Sequence, residues 1–197
     1  MSTSRQRLRE FLVARSVRHG TFVLASGERS SIYVDCRLTT LHAPAMPWVG
    51  RAVLEVLERR GWRPQAVGGL QFGADPVAFA TARESLDDTL FPQPLDAFSV
   101  RKESKAHGTG RRIEGLACTD GIEVVVLEDV CTTGGSALRA IEAARAAGMR
   151  VLGCVCLVER GAGGRERIEA QGCAFEALFT LEELTGPRAA TRSGGIA

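Results

Sequence analysis

Residues 123–136 have the sequence Glu-Val-Val-Val-Leu-Glu-Asp-Val-Cys-Thr-Thr-Gly-Gly-Ser. The short apolar run at 124–127 is typical of a strand that is buried on both faces of a parallel sheet. Glu128 and Asp129 follow it directly, and a turn rich in hydroxyl groups and glycine comes next. Ala137 to Ala147 then has the apolar spacing of a helix. The stretch therefore predicts a strand, a turn and a helix of an α/β sheet.

The turn between this strand and this helix has the chemistry of a phosphate site. Thr132 to Ser136 offer hydroxyl and N–H groups without bulk, and a following helix presents its positive dipole end to an anion. Glu128 and Asp129 would lie where open α/β sheets bind ligands, and their oxygens suit sugar hydroxyls or a hydrated cation. An ordinary polar turn has the same composition, whereas a Walker-type loop is disfavoured because no Gly-Lys-Ser/Thr closes the turn.

Strands and helices alternate along the rest of the chain, which predicts a central, mainly parallel sheet flanked by helices. The expected helices cover 4–18, 45–60, 74–84, 137–147 and a stretch that follows a turn at 161–164 and extends to about 171. The expected strands cover 21–25, 32–36, 66–70, 95–100, 124–127, 151–158 and 173–179. The tail beyond Gly186 is expected to fray. With no repeat and no linker, a single domain over 1–197 is the simplest account.

The composition is that of a globular protein. Hydrophobic residues make up 45% of the chain and charged residues 24%, and the net charge is only +2, so no overall charge favours nucleic acid. No run of about eighteen apolar residues predicts a membrane span, and the polar N-terminus lacks the apolar core of a signal peptide. We therefore expect a cytoplasmic protein with no membrane and no nucleic-acid partner.

The six cysteines include no Cys-x-x-Cys pair, so neither a metal site nor a disulfide is indicated. Cys154 and Cys156 would point the same way on a strand, and we expect them to be small core residues. Cys131 lies within the predicted phosphate turn, where we expect a neutral filler and leave sensitivity to oxidation open.

Residues 101–112 form a basic segment, Arg-Lys-Glu-Ser-Lys-Ala-His-Gly-Thr-Gly-Arg-Arg. It has five cations, one carboxylate and no large apolar residue, so it has nothing to bury and is expected to order around an anion such as pyrophosphate. His107 adds a group that titrates near neutral pH. A solvated basic loop has the same composition, but this one follows a strand in a chain that already predicts a sugar-phosphate site.

These segments together resemble a known family. Glu128 to Ser136 resembles the phosphoribosyl pyrophosphate signature of type I phosphoribosyltransferases, and Arg101-Lys102-x-x-Lys105-x-His107-Gly108 resembles the catalytic loop of the orotate phosphoribosyltransferases. Further matches, which together extend over about residues 5–185, lie at Phe22 to Gly27, Tyr33 to Asp35, Gly68 to Pro76, Ile113 to Gly115 and Leu157 to Arg160.

The resemblance implies a type I phosphoribosyltransferase fold with a small, hood-like N-terminal segment. It implies transfer of ribose 5-phosphate from phosphoribosyl pyrophosphate to orotate, giving orotidine 5′-phosphate and pyrophosphate in pyrimidine biosynthesis. It also implies a homodimer in which Arg101, Lys105 and His107 act on the neighbouring subunit's site while Lys102 serves its own.

The resemblance further implies roles for individual residues. Phosphoribosyl pyrophosphate would bind to Arg101, Lys102, Lys105, His107, Glu128, Asp129, Val130, Cys131, Thr132, Thr133, Gly134, Gly135 and Ser136. Of these, Arg101, Lys102, Lys105 and His107 would be catalytic. Orotate would bind to Thr132, Arg160, Tyr33 and Val34, because an arginine fork can pair with its carboxylate. Mg²⁺ would be the cofactor, bound mainly through the substrate and near Asp129, with no protein ligand set of its own.

Two residues depart from the family pattern. Ala25 and Gly73 stand where many relatives carry lysines near the substrates. Two other functions stay open at this point: transfer to a different base, or a regulator that binds phosphoribosyl pyrophosphate and nucleic acid. The regulator is disfavoured because no aromatic residue lies among the cations of 101–112 to stack on bases.

Overall fold

The computed structural model describes residues 3–23, 29–89, 91, 93–103 and 112–186. The strands are β1 (Val17–Val23), β2 (Arg29–Val34), β3 (Ala66–Leu70), β4 (Asp96–Val100), β5 (Ile113–Glu114), β6 (Glu123–Cys131), β7 (Arg150–Glu159) and β8 (Phe175–Thr180). The α-helices are α1 (Ser4–Phe11), α2 (Arg37–Thr40), α3 (Met46–Arg60), α4 (Ala74–Ser85), α5 (Gly135–Ala146), α6 (Gly164–Glu169) and α7 (Leu181–Thr185). None of these helices is long and apolar enough to cross a membrane.

The larger sheet has six strands in the order β5-β4-β3-β6-β7-β8. All its neighbouring strands are parallel except the short edge pair of β4 and β5, which confirms the expected mainly parallel sheet. The chain runs outward from β3 to β4 and β5, and then returns to place β6 on the other side of β3. The strand order therefore reverses between β3 and β6, and in open α/β sheets such a reversal leaves a crevice at the carboxyl ends of the strands.

Helices cover both faces of this sheet. On β6, Val125 and Leu127 pack in the same core as α1, α3 and α4, whereas Val124 and Val126 pack in the core that includes α5. All four side chains are fully buried, and each contributes about 1.5–3 kcal/mol of hydrophobic stabilisation. Successive side chains of β6 point to opposite faces of the sheet, and both faces are covered by helices. The strand therefore appears in the sequence as an unbroken apolar run. Cys154 and Cys156 are fully buried on the α5 face, as expected.

Some boundaries differ from the sequence expectation. The first helix ends at Phe11, one π-helical turn follows at Leu12–Ser16, and β1 begins at Val17, so the prediction of a helix to residue 18 was wrong. The reason is tertiary, because Ser16 accepts the backbone N–H of Asp35 at 3.0 Å and shares a 2.7 Å side-chain hydrogen bond with Thr39.

The acidic pair was expected to follow its strand, but β6 continues through both carboxylates to Cys131. Parallel pairing with β7 extends to Cys131 and Glu159, which holds this end of the strand in the sheet. Glu128 and Asp129 are therefore presented from a rigid strand rather than from a loop.

The hairpin of β1 and β2 forms a separate two-stranded sheet near the N-terminus. Val34, at the end of β2, is buried in the same core as α1 and α3, and this contact anchors the hairpin to the main body. Tyr33 lies outside that core with 37% of its surface exposed, and its ring lies 5.4 Å from the ring of Phe22. The hairpin corresponds to the hood-like segment that the resemblance implied.

Candidate active site

A cavity of about 450 Å³ lies over the turn between β6 and α5. It is lined by Glu128, Val130, Cys131, Thr132, Thr133, Gly134, Gly135, Ser136 and Arg139. The sequence predicted all of these residues except Arg139 as ligands of one substrate, and the fold brings them around one space. Asp129 points elsewhere, toward the loop that follows β3.

The turn is held in shape by α6. Gly134 has a φ of 75°, a conformation that favours glycine, and a Cβ there would lie 2.9 Å from the carbonyl oxygen of Gly164. Arg167 donates a 2.7 Å hydrogen bond to the carbonyl oxygen of Thr133. These contacts fix the turn around its cavity without help from a ligand, and a preformed anion site loses little entropy on binding.

The two residues of the acidic pair differ in their exposure to water. Glu128 is 5% exposed, and burial together with the neighbouring charge of Asp129 raises the pKa of Glu128 well above its ordinary value. Asp129 is partly exposed, and its Oδ1 accepts the backbone N–H of Val130 at 2.8 Å. Two adjacent carboxyl groups offer several oxygen atoms for hydrogen bonds, which suits two adjacent sugar hydroxyls.

Gly73 lies directly against the carboxylate of Asp129. A Cβ at Gly73 would be 2.5 Å from Oδ1 of Asp129, 2.8 Å from its Cγ and 3.0 Å from its Oδ2. Gly73 follows β3 and Asp129 belongs to β6. Their contact therefore lies in the crevice where the strand order reverses. The glycine that stands in place of a lysine is thus a packing requirement of this chain.

Arg37 lies beside the candidate site, and the sequence analysis did not single it out. Its Nε and Nη2 donate to the two carboxylate oxygens of Asp35 at 2.8 and 3.0 Å, and this fork lowers the pKa of Asp35 and raises that of Arg37. The negative charge of Asp129 also raises the pKa of Arg37, after the larger effect of the Asp35 fork. Arg37, at the start of α2, is therefore near the acidic pair. The available signal was an arginine two positions after Asp35, just beyond the matched segment.

The same arginine lines a second cavity, of about 430 Å³, beside the loop after β3. Arg15 and Phe72 also line it, and Phe72 is 58% exposed. The part of the crevice beside Gly73, which carries no lysine, therefore still contains cationic side chains.

Arg160 follows β7 and is tied to the turn through its backbone. Its N–H donates to the carbonyl oxygen of Cys131 at 2.9 Å. Its neighbour Glu159 is held by Arg165 through hydrogen bonds of 2.7 and 3.0 Å. Arg160 lines a third cavity, of about 540 Å³, together with Thr180. The structure places Arg160 next to the start of the turn between β6 and α5 but in a cavity separate from the one over that turn.

The basic segment is described only at its two ends. The backbone N–H of Arg101 donates to Arg112 at 2.9 Å, and the Arg112 guanidinium donates back to the Arg101 carbonyl at 3.2 and 3.3 Å. Arg101 also contacts Glu114 at 3.3 Å, whereas Lys102 is exposed. Lys105 and His107 lie outside the described residues, as does Ala25.

The cysteines of this region are buried rather than reactive. Burial raises the pKa of Cys131 to about 11, and the pKa values of Cys154 and Cys156 also lie well above their ordinary value. A thiol that stays protonated is a poor nucleophile, which fits a packing role beneath the turn.

Comparison with known proteins decides the family. The sequence model of the phosphoribosyl transferase domain family matches residues 51–173 of this chain. The orotate phosphoribosyltransferase of Aquifex aeolicus is 43% identical over 183 residues, which are 91% of this chain and 97% of the relative. The chain belongs to the orotate phosphoribosyltransferase family.

Solved structures of orotate phosphoribosyltransferases have the same fold. The Mycobacterium tuberculosis enzyme in complex with Fe(III) dicitrate has a TM-score of 0.79 and 41% identity, covering 92% of this chain and 99% of that one. The same enzyme in complex with 5-phospho-alpha-D-ribosyl 1-diphosphate has a TM-score of 0.75 and 37% identity, with coverage of 92% and 98%. Members of this family transfer ribose 5-phosphate from phosphoribosyl pyrophosphate to orotate, and this chain is an enzyme of that kind.

Proposed function

We propose that the crevice between β3 and β6 binds phosphoribosyl pyrophosphate through the acidic pair and the turn. Glu128 and Asp129 bind the ribose 2- and 3-hydroxyls, and Thr132 to Ser136 surround the 5-phosphate. The observation that carries the proposal is the single cavity into which β6 and the start of α5 bring a buried carboxyl, hydroxyl groups and free helix N–H groups.

Orotate binds beside this cavity, between Arg160 and the hood. Arg160 pairs with the orotate carboxylate, Thr132 approaches the ring, and the backbone of Tyr33 and Val34 meets its edge. Two features support this placement: the backbone bond between Arg160 and Cys131, and the commitment of Glu159 to Arg165. A guanidinium that is not paired with a neighbouring glutamate can form a fork with a substrate carboxylate.

The leaving pyrophosphate is stabilised by the basic segment. Cleavage of the C1–O bond passes through an oxocarbenium-like state, as in other glycosyl transfers. Arg101, Lys102 and Lys105 neutralise the charge that develops on pyrophosphate, and His107 donates a hydrogen bond or a proton to it. The paired backbones of Arg101 and Arg112 anchor the two ends of this segment beside β4.

Mg²⁺ assists at the same place, bound mainly through the substrate phosphates and hydroxyls. Among the described residues no group of three or more His, Cys, Asp or Glu side chains could hold a metal. Mg²⁺ is usually held by one or two carboxylates plus substrate phosphates, and the partly exposed Asp129 fits that pattern. When bound, the ion neutralises phosphate charge.

The enzyme works as a cytoplasmic homodimer in which the basic segment of one subunit reaches the site of the other. Arg101, Lys105 and His107 serve the partner's site, and Lys102 serves its own. Exposed apolar residues beside the crevice, Leu41 and Phe72, support an interface on this side of the molecule.

A turnover assay that follows the loss of orotate absorbance with phosphoribosyl pyrophosphate and Mg²⁺ tests the proposal. Replacing Lys105 by Ala is expected to lower kcat roughly 10²-fold, the usual effect of deleting one donor to a developing charge. Arg83→Gln is the control, because Arg83 is an exposed cation paired only with Asp87 in the described structure. Near-normal turnover by the Lys105→Ala variant would contradict the role of the basic segment.

A further inference from the structure

We propose that Arg139 is a binding residue for the 5-phosphate, supplying the positive charge that the turn itself lacks. The proposal rests on the proposed function of the turn and extends it to a residue of α5. Arg139 lies one helical turn beyond Gly135 and Ser136, so the three share a face at the start of α5. All three line the same cavity.

The charge balance of this cavity requires a cation. Among the described residues that line it, the charged side chains are Glu128 and Arg139. The turn contributes hydroxyl and N–H groups, which are neutral donors. A phosphate dianion placed in the cavity would approach the buried Glu128, and a guanidinium lining the same cavity offsets that repulsion. The charge of Arg139 already acts on Glu128, lowering a pKa that burial raises.

The guanidinium of Arg139 is available for a ligand. Two other arginines near the turn are committed to the fold, since Arg167 donates to Thr133 and Arg165 to Glu159. Arg145, further along α5, donates to the carbonyl oxygens of Gln171 and Gly172. Within the described part of the chain, Arg139 forms no hydrogen bond or ion pair. Its side chain is exposed and can therefore swing onto an anion in the cavity.

The test compares two anionic ligands, ribose 5-phosphate and pyrophosphate, which occupy different ends of the proposed substrate site. We expect Arg139→Gln to weaken ribose 5-phosphate binding about 10-fold or more, as for loss of one charge-assisted pair. Pyrophosphate affinity and the unfolding temperature should stay unchanged. Arg139→Lys should restore part of the loss, because it keeps the charge without the fork. Arg83→Gln controls for the change in net charge.

A double-mutant cycle separates direct contact from an effect through Glu128. If Arg139 binds phosphate, its replacement weakens ribose 5-phosphate binding in a Glu128→Gln background as well. The proposal is overturned if the loss vanishes in that background, if pyrophosphate and ribose 5-phosphate weaken equally, or if neither changes. Failure of the proposed function would appear separately, as absence of turnover by the unmodified enzyme with orotate and phosphoribosyl pyrophosphate.

Discussion

Gly73 shows how a single missing Cβ can make room for a carboxylate, here that of Asp129 in the proposed ribose site. Gly73→Ala would place a methyl group 2.5 Å from Oδ1 of Asp129, which must then turn away from its present position. We expect kcat/KM for phosphoribosyl pyrophosphate to fall about 10- to 100-fold, since displacing a reacting group by about 1 Å can cost 10²-fold. Thermal unfolding should change little, because the displaced atoms belong to a partly exposed side chain.

The same contact predicts that restoring the lysine of many relatives will not help this chain. Gly73→Lys is expected to bind phosphoribosyl pyrophosphate more weakly than the unmodified enzyme, because its Cβ displaces Asp129 before its ammonium can reach an anion. Titration calorimetry measures both variants. Tighter binding by the lysine variant would contradict the packing argument.

Asp129→Asn tests the carboxylate itself. The substitution keeps the shape of the side chain and the hydrogen bond from the Val130 N–H, but removes an acceptor and a negative charge. We expect the affinity for phosphoribosyl pyrophosphate in the presence of Mg²⁺ to fall about 10-fold or more, in line with loss of a charged hydrogen bond. Asp87→Asn, at an exposed ion pair beside α4, is the matched control. Equal affinities for the Asp129→Asn variant and the control would remove Asp129 from the ribose site.

Residues that lie together in sequence were easier to predict than residues brought together by folding. The turn from Thr132 to Ser136 was identifiable because its chemistry is local. Arg37 was missed because it matters through its proximity to Asp129, and Arg139 because it matters through its proximity to Glu128. No spacing in the sequence predicts that these charged groups lie near each other. The departure at Gly73 was visible, but its cause needed the distance to Asp129.

At the scale of elements, α7 is fixed by a capping box. Thr180 accepts the N–H of Glu183 at 3.2 Å, and Glu183 accepts the N–H of Thr180 at 2.8 Å. Arg5 of α1 donates to the same glutamate at 2.6 Å, which joins the first and last described helices. We expect Glu183→Ala to lower the free energy of unfolding at pH 7 by about 1 kcal/mol, the usual contribution of one hydrogen bond, here the one from the Thr180 N–H in the capping box.

The pH dependence of this cap follows from the pKa of Glu183. Burial acts to raise it, but the Thr180 N–H and Arg5 outweigh burial, and the net pKa is lowered from 4.5. A lowered carboxyl pKa gives stability that is fully present above the unfolded value and is lost as the pH falls through the folded value. Urea unfolding of the unmodified enzyme and the variant should therefore differ at pH 7 and converge in acid. Glu182→Ala serves as the control, and a difference that persists below the folded pKa would contradict the linkage.

The elements that the sequence failed to predict share a physical reason. The short elements α2, α7 and β5 have two to five residues each, too few to establish a period. The buried strands and the longer helices α3 and α4 were predicted because their apolar pattern is repeated over many residues. The start of β1 was missed because Ser16 and Thr39, far apart in sequence, decide where the first helix ends.

At the scale of the molecule, the order of strands explains why this chemistry gathers in one crevice. The reversal between β3 and β6 places Gly73, Asp129 and the phosphate turn at adjacent strand ends. Alternation of strands and helices predicted a parallel sheet, but it could not give this order, since many orders fit the same alternation. The order was available only through resemblance to the family, which carries the fold with its motifs.

The proposed dimer gives a prediction that depends on both subunits. If Lys105 of one subunit serves its partner's acidic pair, a mixed dimer of Lys105→Ala and Asp129→Asn subunits contains one intact site, with its loop and its Asp129 drawn from different chains. Random exchange makes half of the dimers mixed, so at phosphoribosyl pyrophosphate concentrations well below saturation, turnover should recover to about one quarter of the unmodified level, above the residual turnover of either variant alone. Native mass spectrometry verifies the exchange, and Arg83→Gln subunits mixed with Asp129→Asn control for dilution. If exchange is complete and turnover does not rise above that of the separate variants, the basic segment serves the site of its own subunit.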